Sequence, residues 1–206
     1  MYPHDILKKG DDMKILGMII LLVFYSIYFG KMWIQKRKGI QTNQIAKREN
    51  KDQQYYIELT MKVVTWGVVF VEVISIFSVN PNVSQIMNFT GIILGILGNI
   101  IFACAITTMK DSWRAGLAEN DRTEMLTSGI YQISRNPAFL GFNCVYLGIL
   151  FMFFNIPLLI ITVLAILMLH IQILQEEHYL DKEYGIDYRF YKKQVYRYLG
   201  RKQKNL

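Results

Sequence analysis

The feature that most constrains this chain is a series of apolar runs, each about as long as a bilayer is thick. A helix needs about 20 apolar residues to cross roughly 30 Å of hydrocarbon, because only a helix or a closed barrel satisfies its backbone polar groups without water. Residues 15–34 (ILGMIILLVFYSIYFGKMWI), 59–79 (LTMKVVTWGVVFVEVISIFSV) and 86–109 (IMNFTGIILGILGNIIFACAITTM) meet that length. A longer apolar stretch runs from Pro137 to Leu174, but Asn155 and Pro157 near its middle mark a turn. It divides into helices over 138–154 and 157–174 that form a hairpin. The expected fold class is therefore all-α: a polytopic membrane protein of about five transmembrane helices, the last two a C-terminal helical hairpin. Gly91, Gly95 and Gly98 carry a small-residue spacing that lets a neighbouring helix approach closely.

Charge orients the bundle. The loop after the first run holds Lys36, Arg37, Lys38, Lys47, Arg48 and Lys51, whereas the turn at 80–85 and the hairpin tip near Asn155 hold no basic residue. Basic loops stay in the cytoplasm, so five crossings put the N-terminus outside and the C-terminus inside, in the plasma membrane if the chain is bacterial. The first run has no small-residue cleavage site and is followed by a basic stretch, as in a retained anchor. The net charge of +7 is spread over loops and tail, which suits an anionic membrane surface and argues against nucleic acid. Cys104 and Cys144 lie inside apolar runs with no ligand spacing, so no metal site or disulfide framework is expected. Nothing in the sequence sets an oligomeric state.

The polar residues that need explaining gather on the cytoplasmic side, where the hairpin brings Tyr131, Arg135 and Asn136 toward Glu176, Glu177 and His178. Such a chamber would open to both cytosol and lipid. The segment after the hairpin is charged and aromatic, must lie outside the membrane, and is expected to be helical up to Tyr184 with Gly185 as its stop.

The stretch TEMLTSGIYQISRNPAFLGF, followed after the hairpin by EEHYLDKEYGIDYRFYKKQVYRYL, resembles the isoprenylcysteine carboxyl methyltransferase and phospholipid methyltransferase superfamily over about residues 110–200. That family carries an Arg-His-Pro-x-Tyr-x-Gly motif, a hydrophobic hairpin, a Glu-Glu pair and a Tyr-rich tail. The resemblance implies an S-adenosylmethionine-dependent methyltransferase with a cytoplasmic cofactor site and a lipophilic acceptor drawn from membrane lipids. It divides the chain into a three-helix membrane scaffold (1–110) and a methyltransferase-like region (111–206). Carried over by position, it implies that Thr123, Glu124, Met125, Leu126, Tyr131, Asn136, Pro137, Phe139, Glu176 and Glu177 surround the cofactor, and it gives catalytic roles to Arg135 and Asn136. A carboxylate there would accept the ribose hydroxyls, and aromatic faces would favour the sulfonium cation. No metal is implied.

The chain departs from the family pattern at Asn136, where the motif has His, and at Phe139, where it has Tyr. The positions before the glutamates are Leu169, His170, Ile171 and Gln172, with no Arg among them. Asn before the motif Pro resembles the phospholipid-methylating branch, and the missing Arg argues against a free prenylcysteine carboxylate as acceptor. His170, two helical turns before Glu177, is a candidate catalytic contact to the acceptor head group. These departures leave two rival functions: a non-catalytic lipid-binding or interaction protein of the same fold, and a related membrane reductase. Glu72, inside the second apolar run, needs a partner at that depth; it either lines a substrate tunnel or is a structural carboxyl. Asn99 and Asn143 are expected to make interhelical hydrogen bonds.

Overall fold

Each apolar run becomes a helix in the computed structural model, which describes residues 3–45, 53–81, 84–114 and 125–202. The five α-helices are α1 (Pro3–Arg37), α2 (Gln53–Ser78), α3 (Gln85–Met109), α4 (Pro137–Met152) and α5 (Ile156–Gln194), with short 3-10 turns at Lys110–Ser112 and Gly129–Gln132. No strand occurs among the described residues. Four helices are long and apolar enough to cross a membrane; α4, with 16 residues, is the shorter apolar one, about 24 Å long. Their outward faces carry bulky apolar side chains such as Ile86, Phe89, Phe70 and Ile160, an exposure that only lipid makes favourable.

Small residues decide which helices meet. A Cβ placed on Gly148 would lie 2.7 Å from the Gly95 nitrogen, and one on Gly98 2.8 Å from the Gly141 oxygen, so α3 and α4 touch backbone to backbone. Glycine alone permits this approach, and in lipid close packing supplies most of the association energy. Accordingly α4 packs most extensively on α3, and α5 on α2. The two arms of the hairpin therefore lean on different neighbours. Asn99 ties α3 to α1 through Nδ2, which donates to the Ile20 carbonyl at 3.2 Å and the Gly95 carbonyl at 3.0 Å. Beside that bond, the Phe24 ring sits 4.7 Å from both Phe102 and Phe142.

At the hairpin tip Asn155 caps α5 by accepting from the Leu158 N–H at 2.9 Å, and its Nδ2 donates to Ser75 Oγ at 2.9 Å. At the opposite end, Gln35 of α1 is fully buried and donates from Nε2 to the Trp113 carbonyl at 3.0 Å, which draws the segment after α3 against α1. The expected stop at Gly185 takes a different form. Gly185 alone leaves helical geometry (φ 51°, ψ −115°), and the helix resumes to Gln194. Glycine takes that positive φ without a Cβ clash. The resumed segment then buries Tyr188 and Tyr191 against Met125 and Leu180, a reward for continuing that the local sequence alone does not reveal.

Candidate functional site

α5 does not end where its apolar stretch ends. Beyond Leu174 come nine charged residues in the next 20, on the same helix and projecting past the apolar layer. Glu176 and Glu177 stand at this boundary and face different ways. Glu177 is 4% exposed, and both its oxygens are taken: Oε1 accepts from Arg135 Nη2 at 2.9 Å, Asn136 Nδ2 at 3.1 Å and Arg197 Nε at 3.1 Å, and Oε2 from Arg197 Nη2 at 2.9 Å. Burial raises the Glu177 carboxyl, but the Arg197 hydrogen bond and the charges of Arg135 and Arg197 outweigh it and hold the group below the usual carboxylate range. Glu176 instead lines a cavity and accepts from Gln172 Nε2 at 3.0 Å through Oε1. Burial pushes its carboxyl up to about 7, partly offset by the Gln172 bond.

The loop before α4 meets these glutamates because several bonds hold it. Asn136 occupies the N-cap position of α4, with Pro137 at the first helical position, yet its side chain does not cap the helix. It reaches instead to Glu177 and, from Nδ2, to the Arg197 carbonyl at 3.2 Å. The Arg135 N–H donates to the Tyr196 carbonyl at 3.1 Å, and Arg135 Nη1 to the Lys192 carbonyl at 3.2 Å. The Tyr191 hydroxyl donates to the Tyr131 carbonyl at 2.6 Å. Burial, reinforced by the charge of Glu176, raises the Tyr131 phenol well above its ordinary value. The C-terminal segment thus straps the loop onto α5.

The cavity holds about 250 Å³ and is polar at its mouth, and Asn43, Lys62, Thr65 and Arg114 also line it. Tyr131, Arg135, Asn136, Gln172 and Glu176 form the mouth. The walls come from Tyr25, Tyr28, Phe29 and Met32 of α1, Met61, Trp66 and Val69 of α2, Phe139, Phe142 and Tyr146 of α4, and Leu169 of α5. The shape suits a charged reagent at the mouth and an apolar one along the walls.

Among the residues expected at the site, Tyr131, Arg135, Asn136, Phe139 and Glu176 come together on the cavity wall. Glu177 and Pro137 stand directly behind them, Glu177 as the hub of the polar network. Met125 packs beneath the strap against Tyr188, Tyr191 and Val195, with the half-buried Leu126 next to it in the chain. Thr123 and Glu124 lie outside the described residues. His170 does not line the cavity; its Nδ1 is 2.6 Å from the Tyr198 hydroxyl, with the two rings stacked at 21°.

Two groups of residues escaped the sequence reading. Arg197, in the tail, meets Glu177 through two nitrogens. The second is the α1 and α2 wall. Tyr25, Tyr28, Phe29 and Met32 follow an i, i+3, i+4, i+7 pattern, a stripe visible in the sequence. In a membrane helix the same stripe equally well faces lipid or a neighbour, so the pattern did not single out a wall.

An all-helical bundle with helices long and apolar enough to cross a membrane, and with an internal cavity that is polar at its mouth, defines a class: integral membrane proteins with an enclosed amphipathic cavity. The particular family follows from the sequence of α3, the loop and α5. The family model for phospholipid methyltransferase matches residues 84–187, half of the chain, and the chain belongs to that family. It is a membrane methyltransferase in general. No curated protein gives a match. The matched region starts earlier than the resemblance at 110–200, taking in α3, and stops before Arg197 and Tyr198.

Proposed function

We propose that the protein transfers a methyl group from S-adenosylmethionine to a lipophilic acceptor that enters the cavity from the bilayer. The observation that carries this reading is the cavity itself, with its polar mouth built from both halves of the matched region and its walls of aromatic and aliphatic side chains. The residues at the mouth fit the cofactor. Glu176 offers a carboxylate for a ribose diol or for the sulfonium charge, while Gln172 Oε1 and Arg135 Nε are buried polar atoms with no partner among the described residues. Tyr131 and Phe139 present aromatic faces that attract a cation.

The cofactor supplies a methyl group on cationic sulfur, and transfer is a direct displacement in which the carbon–sulfur bond breaks as the acceptor's lone pair bonds to carbon. The protein's part is alignment and exclusion of water. Glu177 fixes Asn136 and Arg135 at the mouth, the 195–202 strap keeps the loop on α5, and the α1 and α2 wall aligns the acceptor's apolar part. Asn136 and Arg135 are the residues nearest to a catalytic role, because both line the cavity while bonded to Glu177. We assign His170 to holding the strap through Tyr198. The basic loops support a mouth at the cytoplasmic face, with the N-terminus outside and the C-terminus inside.

The test is direct. Calorimetry on the purified protein in nanodiscs should detect S-adenosylhomocysteine, and Glu176→Gln and Tyr131→Ala should each bind it more weakly. Membranes containing the protein and a radiolabelled methyl donor should gain label in the lipid extract. Absence of any binding by the parent protein removes the enzyme reading.

A further inference from the structure

Opposite the mouth, the cavity closes on polar side chains where hydrocarbon would be expected. Tyr25 of α1 and Tyr146 of α4 line it there, and Tyr146 is fully buried. Behind them stands Glu72 of α2, also fully buried, with neither carboxyl oxygen hydrogen-bonded among the described residues. Glu72 lies near both phenols. Asn99 bonds two backbone carbonyls through Nδ2, and Asn155 bonds Ser75 and caps α5. Other buried oxygens of the bundle, such as Asn88 Oδ1, Asn143 Oδ1 and Thr162 Oγ1, also have no partner among the described residues, but Glu72 differs from them in being ionisable, the kind of group that is most costly to leave unpaired in a bilayer and most often functional there.

We propose that this closed end is a second recognition site, in which Tyr25 and Tyr146, backed by Glu72, take an uncharged hydrogen-bonding group, a hydroxyl or carbonyl, at the end of the acceptor farthest from the methylated atom. The proposal rests on the reading that the cavity takes the acceptor. A phenol can both give and take a hydrogen bond, so the pair matches a hydroxyl in either sense. Tyr146 is ten residues beyond Asn136 on the same helix, about 15 Å along its axis. The acceptor class is thus a bifunctional amphiphile with two polar groups separated by an apolar chain of roughly that length. A lipid chain ending in a methyl group leaves the cluster unmatched.

The test uses the full chain in phospholipid nanodiscs, with 1,12-dodecanediol and 1-dodecanol as probes and the fluorescence of Trp66, on the cavity wall, as readout. After correction for partition into protein-free discs, the parent should prefer the diol by about tenfold, the worth of one well-made hydrogen bond. Glu72→Gln should keep most of that preference. Glu72→Leu and Tyr146→Phe should bring the two probes to within about twofold of each other. Tyr146→Phe removes one hydroxyl only and decides the question if Glu72→Leu does not fold. Equal affinities for the two probes in the parent, or the same preference in the parent and in Tyr146→Phe, overturn the proposal. S-adenosylhomocysteine binding, measured on the same samples, separates the two readings. If it binds and the diol preference is absent, only the polar end falls; if it fails to bind while the preference persists, the methyltransferase reading falls and the polar end stands as a lipid-binding site.

Discussion

Adjacent glutamates with opposite surroundings should respond differently to the same change. In Glu177→Gln, the side chain loses its charge inside a network where it accepts four hydrogen bonds from three residues. The amide oxygen can keep Arg135 or Asn136, but the amide nitrogen then faces Arg197 Nη2, donor against donor. Removing one member of a buried pair typically costs about 3–5 kcal/mol. The retained amide bonds and the access of Arg197, 33% exposed, to water reduce this to about 2–3 kcal/mol. At roughly 2–4 °C per kcal/mol for a chain of this size, the melting temperature should fall by about 4–12 °C. At pH 5, where its carboxyl is still protonated in the folded protein, Glu176→Gln disturbs only the Gln172 bond at a half-buried position, so stability there should change by less than about 1 kcal/mol. Its effect should appear in affinity, as a loss of about 10–100-fold for S-adenosylhomocysteine when charge-assisted bonds become neutral ones. Tryptophan-fluorescence melting and calorimetry on the two variants suffice. A Glu177→Gln protein that melts with the parent, or a Glu176→Gln protein with parental affinity, refutes the division of roles.

Gly148→Ala forces a methyl into the backbone of α3 and should destabilise by about 1–3 kcal/mol, whereas Gly30→Ala meets nothing within 4 Å and should be neutral or slightly stabilising; melting in nanodiscs compares them. Because burial pushes Glu176 up to about 7 and its ionised form is the one proposed to bind, cofactor-product affinity should rise about tenfold from pH 6 to pH 8, and this slope should vanish in Glu176→Gln. The same group acts oppositely on unliganded stability: its contribution is complete below the ordinary carboxyl value of 4.5 and is lost as pH rises through about 7, so calorimetric unfolding should show a decline over that window. Val69→Phe, on the α2 wall, should raise the acceptor KM in a labelled-methyl assay without changing affinity for S-adenosylhomocysteine. His170→Phe should leave that affinity within about twofold of the parent, since the ring contacts Tyr198 and not the cavity.

Much of this protein was legible before any coordinates. Apolar run length specified helices, Asn155 and Pro157 specified the hairpin turn, and Gly91, Gly95 and Gly98 announced a close approach, because each depends on local chemistry: hydrocarbon thickness, capping, or the lack of a Cβ. The order of motifs around the hairpin also pointed to Tyr131, Arg135, Asn136, Phe139 and the glutamate pair. Other features depend on partners distant in the chain. Which neighbour the glycines meet, that α5 runs on past Gly185 to bury Tyr188 and Tyr191, and that Arg197 closes on Glu177 follow from packing between residues 20 to 75 positions apart. The separation of Glu176 from Glu177 has the same origin. One step along a helix turns a side chain by about 100°, and only the surrounding helices determine whether that direction leads into a cavity or into an arginine network.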